Sequence, residues 1–105
     1  MYVEPEWALV NTGMFGTKST FVPLRDANIN VMTHGFNYGT AVFEGVRAYW
    51  NSDEEQLFAL DLILHYERIL RSARLLMMEI PYTAQQLADT TVEMLRRDGL
   101  REDVY

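Results

Sequence analysis

The sequence predicts an α+β fold, a small antiparallel sheet packed with two helices. Three observations carry this expectation. Runs rich in β-branched and aromatic residues, broken by turn residues, fill the chain up to Leu60. From Asp61 the hydrophobic period becomes helical. The helical part also carries its own start and stop residues, and strands followed by packed helices define the class.

Taken in order, "EWALVN" (6–11) alternates weakly and forms the first strand. "NTGMFGTKST" (11–20) supplies glycines and small polar residues and reads as a turn or open loop. "TFVPLRDANINVMTH" (20–34) resumes an extended pattern, with Pro23 marking an edge or the strand's end. "HGFNYG" (34–39) is an irregular turn. "AVFEGVRAYW" (41–50) is a strand, "NSDEEQ" a polar connection and "LFAL" (57–60) its hairpin partner.

"DLILHYERILRSARLLMMEI" (61–80) is a helix with Asp61 as N-cap and Pro81 as its stop. Leu62, Ile69, Ala73 and Leu76 or Met77 form its apolar stripe, and the Met77–Met78 pair reads as core filler. "TAQQLADTTVEMLRRDG" (83–99) is a second helix. It opens on the capping-box pair Thr83 and Gln86, and closes on Gly99 with Arg96 and Arg97 in its last turn. "LREDVY" (100–105) reads as a further strand beginning, so the chain is expected to be a domain cut short.

The 105 residues suffice for one small domain, 1–105, and 49% hydrophobic content is enough for it to fold. There is no apolar run of roughly 18 residues to span a membrane. "MYVEPEWALV" carries Glu4 and Glu6 and lacks a basic leader, so no secretory signal is expected. The absence of cysteine removes disulfides and thiolate metal sites, and fits a cytoplasmic protein. A net charge of −6, from nine basic and fifteen acidic residues, argues against nucleic acid as a partner. Lys18 is the only lysine.

On a strand through 41–50, Ala41, Phe43, Gly45, Arg47 and Tyr49 share one face, and Val42, Glu44, Val46, Ala48 and Trp50 the other. The second face is mostly apolar and suits packing on the helices. The first combines an aromatic, a missing side chain and a permanent cation. Glycine in a strand marks close approach of a ligand or backbone, and arginine binds carboxylate or phosphate in two-point fashion. Together they suggest an apolar pocket with an anion anchor. The plainer alternative makes Gly45 a bulge and pairs Arg47 with Glu44, Glu54 or Glu55. Arg68, Arg71 and Arg74 lie on one flank of the first long helix, which is either a solvated face or an anion site. His34 and His65, without cysteine, read as structural hydrogen-bonding residues.

"MTHGFNYGTAVFEGVRAYW", "HYERILRSARLL" and the terminal "DVY" resemble the N-terminal small domain of branched-chain amino acid aminotransferases, which are fold-type IV enzymes. The resemblance runs from about Val31 to Tyr105, more weakly from Met1. Its most specific part is Tyr-x4-Phe-x-Gly-x-Arg, here Tyr38, Phe43, Gly45 and Arg47. It implies pyridoxal 5′-phosphate as cofactor, with Arg68 holding its phosphate. Tyr38, Phe43 and Gly45 would line the substrate side-chain pocket, with Arg47 at its polar end and Tyr105 near the substrate carboxylate. The implied partners are amino acid and 2-oxo acid substrates, a missing C-terminal domain, and further copies in a dimer or larger homo-oligomer.

The chain departs from the family pattern in the length of 11–20 and the apolar opening of the helix at Leu62–Leu64. The Schiff-base lysine and the acidic partner of the pyridine nitrogen belong to the family's second domain. Lys18 matches neither motif, so this chain alone is not expected to catalyse amino transfer. The expected function is part of a transaminase acting between Leu, Ile or Val and 2-oxoglutarate. The alternatives are a non-catalytic binding or oligomerisation module, and a related transaminase for D-amino acids or (R)-amines.

Overall fold

The computed structural model describes residues 5–11 and 19–105, so the expectations for Lys18 and for the body of the 11–20 loop lie outside the described residues. Strands β1 (Trp7–Val10) and β2 (Thr20–Pro23) pair antiparallel, Trp7 opposite Pro23 and Val10 opposite Thr20. Pro23 ends β2, because proline has no N–H for the ladder. The extended stretch expected beyond it is instead a 3₁₀ turn at Leu24–Asp26 followed by irregular chain. The "HGFNYG" turn contains a short helix, α1 (His34–Tyr38), closed by Gly39 at φ 68°.

A second hairpin joins β3 (Ala48–Asn51) to β4 (Gln56–Ala59), Ala48 opposite Ala59. Asn51 Oδ1 accepts from the Asp53 and Glu54 amides at 2.9 and 3.1 Å and shapes the turn. The antiparallel pairing is therefore divided between two hairpins instead of one sheet. The strand expected from Ala41 is regular only from Ala48: the Arg47 carbonyl still accepts from Leu60 N–H at 2.9 Å, but 41–46 has no ladder partner among the described residues. Its alternation survives all the same: Val42, Glu44 and Val46 are part-buried, while Ala41, Phe43 and Arg47 are exposed. The strand expected over 100–105 is reduced to an isolated bridge, Val104 to Ala48, made of two 3.0 Å backbone bonds.

Helix α2 (Leu62–Leu75) starts where expected, but Asp61 has φ 49° and makes no side-chain cap bond. It ends well before Pro81. Met78 N–H reaches the Ala73 carbonyl at 2.9 Å and Met77 N–H the Arg74 carbonyl at 3.0 Å, with Met77 at φ 56°. That is a Schellman termination with methionine in the left-handed position. Met77, read from sequence as core filler, is 94% exposed because the helix has already ended beneath it.

Helix α3 (Ala84–Asp98) matches its signals. Thr83 Oγ1 accepts from Gln86 N–H, the Gln86 side chain accepts in return from Thr83 N–H, and Gly99 is left-handed at φ 62°. Ala73 of α2 and Ala88 of α3 are buried. The helices pack together, and their contact includes one side-chain bond. Thr91 gives its hydroxyl proton to the Leu87 carbonyl, so Tyr66 donates to Thr91. The first hairpin docks on the end of α3, where Trp7 N–H donates to Asp98 Oδ1 at 2.8 Å. Among the described residues the buried apolar side chains are alanines, Ala48, Ala73 and Ala88.

Candidate functional site

Glu44 lies at the centre of the site. Parity places it on the inward face of 41–50, and its side chain is only 10% exposed. A carboxylate placed there needs cationic or hydrogen-bonding partners. Helix α2 supplies both, one turn apart. Arg68 donates through Nε to Glu44 Oε2 at 2.9 Å and through Nη2 to Oε1. His65 Nδ1 lies 2.8 Å from Oε1. A carboxylate only accepts here, so Nδ1 carries the proton and the 3.4 Å approach of Arg68 Nη2 to it is a contact without hydrogen bonding. The bonds from Arg68, then those from His65, lower the Glu44 pKa from 4.5 to about 2. The carboxylate in turn raises that of Arg68 above its ordinary value.

Arg68 itself remains more than half exposed. Its hydrogen bonds use Nε and Nη2, so the Nη1 edge has no partner among the described residues. Arg68 also lines an open recess together with Asp61, Leu64, His65, Glu67 and Arg71. The donor set fits a phosphate oxygen: one guanidinium edge is held and the other is open.

The other sequence-selected residues fall into two groups. Gly45, Arg47 and Tyr105 come together. A side chain on Gly45 would meet the Tyr105 ring, and the Arg47 guanidinium stands 5.7 Å from that ring's centroid. Gly45 is thus a place of close approach, and the approaching group is a side chain of the same chain. Glu44 pairs with Arg68 and His65, and no described ion pair joins Arg47 to Glu44, Glu54 or Glu55. Tyr38 and Phe43 stand apart. Tyr38 meets His34 edge-on at 5.2 Å, and Phe43 is 92% exposed. No described hydrogen bond or ring contact joins either one to Gly45, Arg47 or Tyr105.

Sequence reasoning alone does not pick out Glu44 as the partner of Arg68 and His65. The signal is present, since an acid on an otherwise apolar strand face requires a partner. The structural hydrogen-bonding role expected of His65 is observed.

No family model matches the chain. A protein from Aquifex aeolicus named a probable branched-chain-amino-acid aminotransferase is 55% identical over 84 residues, 80% of this chain and 27% of that protein. The crystal structure of the branched-chain aminotransferase of Thermoproteus uzoniensis with norvaline superposes with a TM-score of 0.75. Its sequence identity is 43%, covering 80% of this chain and 28% of the other. The branched-chain amino acid aminotransferase of Thermobaculum terrenum in its PLP-form gives a TM-score of 0.78 at 26% identity. It covers 94% of this chain and 30% of the other.

The α+β architecture is therefore that of the N-terminal domain of fold-type IV aminotransferases. Within that class the chain is a homologue of the branched-chain amino acid aminotransferases. It spans less than a third of the length of the relatives it matches.

Proposed function

We propose that this chain is the small domain of a pyridoxal 5′-phosphate-dependent transaminase, inactive alone. The intact protein moves an amino group between Leu, Ile or Val and 2-oxoglutarate. One observation carries the reading: the segment 44–47 engages two arginines, Arg68 through the Glu44 carboxylate and its own Arg47 beside Tyr105. Glu44 pairs with Arg68 of α2, and Gly45 and Arg47 adjoin Tyr105. The bound cofactor supplies the electron sink for amino transfer. Arg68 holds its phosphate through the Nη1 edge. The space for a branched side chain would take Tyr38, Phe43 and Gly45 as walls only in the intact protein. In this chain Tyr38 and Phe43 are exposed and Tyr105 covers Gly45. Arg47 and Tyr105 offer a cation and a phenol to substrate carboxylates.

A standalone module is less well supported. Ile29, Val31, Met32, Phe36, Tyr38 and Phe43 all present large exposed apolar surface within one stretch. Such a patch suits a further domain or further copies, so the working state is a homo-oligomer of the longer protein. No helix among the described residues is long and apolar enough to cross a membrane. A cytoplasmic location suits a sequence without cysteine.

The test is to incubate the chain with pyridoxal 5′-phosphate, reduce with borohydride and map adducts by peptide mass. No stoichiometric adduct is expected. A single stoichiometric adduct on Lys18, the only lysine, would make the chain a self-sufficient cofactor protein and overturn the reading.

A further inference from the structure

We propose that Glu44 is a positioning residue whose carboxylate clamps the Nε–Nη2 edge of Arg68 and thereby aims the Nη1 edge at a phosphate. The inference rests on the reading of Arg68 as the phosphate-binding arginine. It goes further by assigning the orientation of that arginine to a residue on another element.

The need to satisfy Glu44 explains why it has partners, but not which edge of Arg68 is left open. Arg68 is more than half exposed, so solvent screens its side of the pair. Glu44, by contrast, is nine-tenths buried, a placement that costs free energy unless its oxygens are satisfied. Both oxygens are engaged, Oε2 by Arg68 Nε, and Oε1 by Arg68 Nη2 and His65 Nδ1. His65 braces the carboxylate from the preceding turn, which fixes the plane in which Arg68 meets it. A guanidinium held along one edge by two parallel bonds cannot rotate freely about its long side chain. An unclamped arginine at an exposed helix position would sample many rotamers and give up that freedom on binding. The clamp meets that ordering cost in advance.

The experiment follows the Arg68 guanidinium by ¹⁵N NMR in this chain, titrated with inorganic phosphate. Wild type, Glu44→Gln and Arg68→Ala are compared. In the wild type, separate Nη1 and Nη2 signals are expected from hindered rotation, with phosphate shifting Nη1 first. Glu44→Gln should merge the two signals and weaken phosphate binding about tenfold, the scale of one lost charged hydrogen bond. Averaged Nη signals in the wild type would overturn the clamp directly, whether or not the Gln variant folds. An equal phosphate response in wild type and Glu44→Gln would overturn the positioning role and leave Arg68 as the anion residue. A wild type no more responsive than Arg68→Ala would overturn both the inference and the reading beneath it.

Discussion

A Cβ built on Gly45 would lie 2.1 Å from the Tyr105 hydroxyl oxygen and 2.7 Å from the ring carbon that bears it. The space that glycine leaves open is thus filled by the end of the chain, beside the Arg47 guanidinium. Gly45→Ala should displace Tyr105. The displaced group is the far end of an exposed side chain, so global stability should change by no more than about 0.5 kcal/mol. Changed Tyr105 ring and Arg47 side-chain NMR signals, with little change in melting temperature, are the expected result. Unchanged Tyr105 signals would show that the close approach does not exist in solution.

Arg97, in the last turn of α3, lies 4.1 Å from the Phe21 ring centroid and 5.5 Å from that of Trp7. With the bond from Trp7 N–H to Asp98, it fastens the first hairpin to the helices. Two cation–π contacts from an exposed arginine contribute about 1 kcal/mol together. Arg97→Ala should lose that amount in chemical denaturation and alter tryptophan fluorescence before global unfolding. Arg97→Lys should retain part of the effect.

What is legible in the sequence depends on whether the controlling interaction is local. Thr83, Gln86 and Gly99 bound α3 through bonds within a few residues, so the spacing alone predicts them. The inward parity of Val42, Glu44 and Val46 is legible for the same reason. The regular strand expected over 41–46 does not form, because a ladder needs a neighbour and no described segment provides one. The end of α2 escapes sequence reasoning because a Schellman turn needs only a residue that tolerates positive φ, and methionine gives no warning of it. In the site, Arg68 and Gly45 stand out by motif and chemistry. Their partners Glu44 and Tyr105 come from distant sequence, which only the folded chain brings near.

Met77 at φ 56° occupies the position that glycine favours after a helix. A β-carbon there costs about 1 kcal/mol, and an almost fully exposed side chain contributes little packing in return. Met77→Gly should therefore stabilise the chain by up to about 1 kcal/mol, read as a higher denaturation midpoint with an unchanged slope. Loss of stability would mean that the Met77 side chain is covered in solution.

The Glu44 carboxyl is held at about 2 in the fold against 4.5 for a free side chain. The unfolded chain therefore takes up this proton first as the pH falls, so acid favours unfolding. The contribution is complete above pH 4.5 and disappears as the pH drops from there toward 2. Melting temperature against pH should fall more steeply across that interval in the wild type than in Glu44→Gln. Parallel curves would show that Glu44 is not held by Arg68 and His65.

Phe36, Tyr38 and Phe43 expose large rings on the stretch that separates the two hairpins, while the described core is built from alanines. Apolar area left in water in this amount drives association. The isolated chain should show concentration-dependent self-association in sedimentation velocity, reduced in a Phe36→Ser/Phe43→Ser double variant. Both side chains are exposed, so the substitutions should leave the melting temperature of the domain nearly unchanged. A wild-type chain that sediments as one monomer at every concentration would favour the standalone module over the domain of a larger assembly.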